Sequence, residues 1–85
     1  MTRLNGSVQS RMWTSLLRDA QRSITEQLRE WVGSVQCAPY HCRCGDELHY
    51  VLQDGTGSSC GYAIVFFRAT AQGYEVTRVV TRPTT

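Results

Sequence analysis

The stretch YHCRCGDELHY, residues 40–50, gathers two cysteines, two histidines and two carboxylates. With Cys37 upstream and Cys60 beyond the next turn, the chain holds four cysteines. Thiolate and imidazole are the ligands of structural zinc, which takes four in a tetrahedron, most often from two Cys-x-x-Cys knuckles or one knuckle and a His pair. Here the spacing is Cys42-x-Cys44, with Cys37 and Cys60 single and His41 and His49 nearby. Gly follows both Cys44 and Cys60, as it follows cysteine in many zinc knuckles, and hairpin pairing would bring Cys44 beside Cys60. The candidate metal ligands are therefore Cys37, Cys42, Cys44 and Cys60, with zinc as the cofactor. Two other states compete. Free thiols behave as small buried hydrophobes, and alternation along a strand would put Tyr40, Cys42 and Cys44 on one face. A disulfide would join Cys37 to Cys60 if their strands adjoin. Free thiols lead, so no cofactor is required.

The same cluster supplies the residue types of a nucleophilic thiol with its base: Cys42 or Cys44, His41 or His49, and Asp46 to orient the imidazole. On a strand, however, His41 and Cys42 point to opposite sides. A chain of 85 residues also leaves little room for an enclosed pocket of ~300 Å³ or more. The stretch DGTGSS, 54–59, is too short for a phosphate-binding loop and lacks its Lys. No enzymatic activity is expected, and no catalytic residue is assigned.

The elements that must carry these groups read as one helix and a sheet. From about 7 to 32, Trp13, Leu17, Ala20, Ile24, Leu28 and Trp31 recur at three- and four-residue steps, with Leu16 on the flank and no Pro between. Asn5 or Ser7 can cap the start, and Gly33 can take the left-handed conformation that stops the helix. Beyond Val35 come short runs separated by turns: strands at about 47–53, 61–70 and 74–82, with a Cys-rich segment, 37–44, as a fourth strand at an edge that tolerates Pro39. The expected fold is α+β, a single domain over 1–85. One long amphipathic helix packs on a three- to four-stranded antiparallel meander.

Alternation assigns Leu48, Tyr50, Leu52, Tyr62, Ile64, Phe66, Tyr74, Val76 and Val80 to the face beneath the helix. The strand at 61–70 then carries Ala63, Val65, Phe67 and Ala69 on the opposite side, where, with Val51 and Val79, they would form an uncovered apolar patch. Ala63, Val65 and Phe67 are the expected partner-binding residues. The simplest occupant is a second copy in a twofold dimer, the other a different protein partner. Phe67→Asp should then abolish association and leave the fold largely intact.

The far side of the helix carries Arg11, Arg18, Arg22 and Arg29, spaced by seven, four and seven within a narrow sector. Such a row could grip phosphates or an acidic surface. Asp19, Glu26 and Glu30 flank it, which makes a solvated, internally paired face the simpler reading. The nine basic residues are all Arg, a skew that a GC-rich coding genome explains, and the formal net charge is only +2. Nucleic acid is thus the lesser candidate partner. The start, MTRLNGSVQS, has no apolar signal-peptide stretch, and no run approaches the roughly eighteen apolar residues of a membrane span. These features predict a cytoplasmic protein with no membrane partner. The expected function is occupation of a partner's surface, as a protein–protein interaction module or stoichiometric inhibitor. Phage-encoded inhibitors of host defence, anti-CRISPR proteins among them, are of this size and kind. The alternative is a zinc-stabilised module that contacts nucleic acid through the Arg row.

Overall fold

The structure, a computed structural model, describes residues 6–31, 33–37 and 42–84, without the side chains of residues 6–10. Asn5, Pro39, Tyr40 and His41 lie outside the described residues, as does the side chain of Ser7. The fold is α+β. Helix α1 (Gly6–Leu28) packs on a curled antiparallel sheet of β1 (Gln36–Cys37), β2 (Cys42–Cys44), β3 (Glu47–Gln53), β4 (Ser59–Thr70) and β5 (Gly73–Pro83). The strand order is β1-β3-β4-β5, and β2 pairs with β3 beside β1, so the Cys-rich segment supplies two short strands to one edge.

Leu16, Ala20, Ile24 and Leu28, each four residues from the next, are the buried stripe of α1. Leu16 is central to the core, whereas Leu17 and Trp13 pack at its margin. The helix stops at Leu28, earlier than the periodicity suggests. Arg29, Glu30 and Trp31 donate their amides to the carbonyls of Glu26, Gln27 and Leu28, an i→i−3 pattern that tightens the last turn. That turn drops Trp31 onto Gly61. A Cβ at Gly61 would stand 2.6 Å from the Arg82 carbonyl oxygen and 2.9 Å from the Trp31 ring, so only glycine fits beneath the indole.

The sheet half of the core is Leu48, Tyr50 and Leu52 from β3 with Ala63, Val65 and Phe67 from β4. Directly opposed residues share a face, and the register pairs Leu48 with Val65, Tyr50 with Ala63 and Leu52 with Gly61. On β5 the same face carries Val76, Val79 and Thr81. Burying each large apolar side chain contributes roughly 1.5–3 kcal/mol. Gln27 fixes the helix laterally. Its Nε2 donates to the Val79 carbonyl at 2.9 Å, and its Oε1 accepts from the Thr81 hydroxyl at 3.0 Å.

This register corrects the face assignment of β4. Ala63, Val65 and Phe67, expected on the uncovered side, are 0%, 0% and 3% exposed under the helix. Tyr62, Ile64, Phe66 and Val80 point the other way. A slip of one residue in pairing exchanges the two faces, and β4 is apolar on both, so its own alternation does not decide. Phe67→Asp would thus strike the core. Two bulges complicate the parity further, one where Leu52 and Gln53 face Gly61 and Ser59, leaving Cys60 over on β4, and one where Phe66 and Phe67 face Arg78 and Val76, leaving Thr77 over on β5.

Turns follow from side-chain chemistry. Between β2 and β3, Gly45 has φ +59° while Asp46 does not have positive φ, so the two-residue Gly45–Asp46 turn is type II′. Between β3 and β4, the Asp54 carboxylate accepts from the Thr56 amide, the Thr56 hydroxyl and the Ser58 amide. The Thr56 bonds lead in holding its pKa below the ordinary value.

Candidate functional site

The face of the sheet turned away from α1 is a small grid set by strand pairing. One row runs Cys44, Glu47, Phe66, Arg78, the next Cys42, His49, Ile64, Val80, and a third Val51, Tyr62, Arg82. Soft and acidic groups therefore lie along the β2–β3 edge, apolar groups along β4, and guanidinium groups along β5. Tyr62 is 42% exposed, and Val51, Ile64, Phe66 and Val80 are partly exposed. The Arg78 guanidinium stands 5.9 Å from the Phe66 ring centroid, and at the β4–β5 end Arg68 pairs with Glu75 at 2.8 Å. An apolar face lies outside the helix-covered core, but it is built from the opposite set of β4 residues to the one alternation predicted: of the two expected neighbours Val51 lies on it, whereas Val79, opposite Val65, lies on the helix side.

The four cysteines are not one ligand set. Cys44 lies opposite Glu47, which lies opposite Phe66, and Cys60 is six residues from Phe66 along β4. At ~3.3 Å per residue that separates them by about 20 Å. Cys37 faces Leu52 and packs against the core, as does Cys60, whereas Cys42 and Cys44 are exposed. Cys42, Cys44 and Cys60 are free thiols, and no three His, Cys, Asp or Glu side chains converge among the described residues. Burial pushes the Cys37 thiol up to about 11.

Sequence reasoning missed the partners that the β2–β3 hairpin gives to Cys42 and Cys44. His49 is paired directly with Cys42 and Glu47 with Cys44, and His49 Nε2 lies 4.0 Å from Glu47 Oε1. The readable signal was the turn, since Gly-Asp between Cys44 and Glu47 is hairpin chemistry. Thiol, imidazole and carboxylate are thereby aligned on an open surface. Grooves of about 510 and 520 Å³ among the described residues are lined by other side chains. Arg43, between the two cysteines, turns to the helix side, where its guanidinium lies 5.1 Å from the Trp13 ring centre and 5.3 Å from that of Phe67. Trp13, Phe67 and Tyr74 meet edge to face beneath it.

Arg11, Arg18, Arg22 and Arg29 are all exposed, and the row divides. Arg18, Arg22 and Arg29 line one shallow groove with Gln21, Thr25 and Glu26, while Arg11 lines another with Met12 and Tyr74. The pairing expected with Asp19, Glu26 and Glu30 is absent: among the described residues the ion pairs are His49–Glu47 and Arg68–Glu75. No described helix is long and apolar enough to cross a membrane. No protein-family model matches the chain, and neither a curated protein nor a solved structure is significantly similar to it.

Proposed function

We propose that the chain is a non-enzymatic binding protein of the cytoplasm, an interaction module or stoichiometric inhibitor, that docks a protein through the open sheet face. The observation that carries this reading is the stripe of Val51, Tyr62, Ile64, Phe66 and Val80 left outside the helix-covered core. A contiguous apolar patch on a small protein is costly to leave wet and serves as an interface. The polarity of the grid favours a second copy as occupant. A twofold axis along the strands sets the Glu47 edge of one copy against the Arg78 and Arg82 edge of the other.

The test is photocrosslinking of the full chain with a benzophenone-bearing phenylalanine analogue at position 62, and at position 25 on the outer helix surface as control. A crosslinked species of twice the chain mass from position 62, absent from position 25 and abolished by Ile64→Asp, is the expected result. A heavier species of fixed stoichiometry would identify a different protein partner. No adduct from position 62, or one that survives Ile64→Asp, overturns the reading.

One observation favours a second reading, contact with nucleic acid through the helix. Arg18, Arg22 and Arg29 line one groove and have no carboxylate ion-pair partner among the described residues. That contact would weaken steeply with salt, and Arg22→Gln would reduce the slope of log affinity against log salt by about 1. A salt-independent affinity removes it.

A further inference from the structure

We propose that the β2–β3 hairpin is a zinc site formed by Cys42, Cys44, His49 and Glu47. The register places the four residues at the corners of one rectangle on the open face, Cys42 opposite His49 and Cys44 opposite Glu47. Directly opposed Cβ atoms are ~4.5–5.5 Å apart, and residues two apart along a strand are separated by about 6.6 Å. A rectangle of that size suits a single tetrahedral ion. Sulfurs bonded at ~2.3 Å sit about 3.8 Å from each other, and nitrogen and oxygen bonded at ~2.0–2.1 Å about 3.4 Å apart. His49 Nε2 and Glu47 Oε1 are already 4.0 Å apart, too long for a hydrogen bond and close to the separation of two ligands.

A second observation points to the same spot. The His49 side chain is 35% exposed, but its Nε2 is covered and has no hydrogen-bond partner among the described residues, a state that costs free energy unless something else engages the nitrogen. The type II′ turn at Gly45–Asp46 holds the two short strands in register, so the rectangle is fixed by backbone. As the side chains stand, no three of these groups converge on a point. Closing the set takes side-chain rotation, which the exposed thiols of Cys42 and Cys44 are free to make. Two sulfurs, one imidazole and one carboxylate select a borderline-soft divalent ion such as zinc over magnesium or calcium. Binding transfers the two thiol protons to solvent, leaving thiolates on the metal. Cys37 and Cys60 take no part, since both pack against the core.

The experiment uses the reduced full chain, stripped with chelator and titrated with Zn²⁺ against a chromogenic indicator, with Co²⁺ as spectroscopic probe. The expected result is one ion per chain, release of about two protons per ion, and a thiolate-to-cobalt charge-transfer band. Cys42→Ser, Cys44→Ser, His49→Gln and Glu47→Gln should each weaken binding at least about tenfold, since even removal of an outer-sphere partner commonly does so. Cys37→Ser and Cys60→Ser should leave it unchanged, with circular dichroism checking that each variant is folded. Failure to bind one equivalent, sensitivity to Cys37→Ser or Cys60→Ser in place of the hairpin variants, or half an equivalent accompanied by dimerisation would each overturn the one-chain site. Glu47 also lies on the edge proposed to face Arg78 and Arg82 of a second copy, so Cys42→Ser and Cys44→Ser, which leave Glu47 and the apolar stripe in place, are the variants that test the metal apart from docking.

Discussion

The two faces of β4 are made of similar material and meet different fates. Ala63, Val65 and Phe67 are sealed beneath α1, while Tyr62, Ile64 and Phe66 on the reverse side remain partly or largely open. Hydrophobicity does not distinguish them. What does is the pairing register with β3, whose Leu48, Tyr50 and Leu52 alternate with polar or smaller neighbours and so commit one face to the helix. Burial in this molecule is a property of the pair of strands.

The contrast can be broken most sharply by placing the same charge on either side of one strand. Val65→Asp buries an unpaired carboxylate and should cost more than about 4 kcal/mol, with loss of the urea transition. Ile64→Asp, one residue away, should change stability by less than about 1 kcal/mol while removing self-association. Equal damage from both would abolish the distinction. Smaller truncations sharpen it. Leu48→Ala should cost about 2–5 kcal/mol and Val51→Ala under about 1 kcal/mol, compared by denaturation midpoints. Gln27→Ala, which frees the Val79 carbonyl and the Thr81 hydroxyl, should cost about 1–2 kcal/mol by the same measurement.

The smallest effects lie in the thiols. Iodoacetamide should modify exposed Cys42 and Cys44 well before Cys37, as peptide mass spectrometry would read, because burial lifts the Cys37 thiol from 9.0 to about 11. The folded chain holds that proton more tightly than the unfolded chain. Its contribution to stability is therefore complete below pH 9.0 and is lost as pH rises toward about 11. Cys37→Ala should flatten that stretch of the profile, and a slope unchanged by the substitution would contradict the assignment.

Much of this architecture was legible in the residues. The helix declared itself through Ala20, Ile24 and Leu28, β3 through the alternation of Leu48, Tyr50 and Leu52, and the loop after it through Asp54 and its glycines. An open apolar face was legible as well, because β4 has more apolar residues than one face of a sheet can hide. Its membership was not, since alternation fixes which residues share a side of one strand but not which side meets the next strand. Tyr74, Val76 and Val80 read as one face only if β5 is unbroken, and it is not. The cysteine set failed for a related reason. Metal-ligand spacing reads along the chain, whereas Cys42 and Cys44 lie opposite His49 and Glu47 across a turn. Arg43 carried no readable signal, because its place depends on the rings of Trp13 and Phe67 arriving from distant segments.

The supernumerary Thr77 bears on how this gene can change. Removing one codon elsewhere within β5 inverts the side chains beyond the lesion, and a loss before Arg78 sends Arg78 and Arg82 under the helix and Val79 to the open face. At Thr77 the same in-frame loss restores a regular ladder, because Val76 and Arg78 already face Phe67 and Phe66 correctly, and costs only the hydroxyl's 3.2 Å bond to the Phe66 carbonyl. Length variation along this strand should accordingly concentrate at that single site.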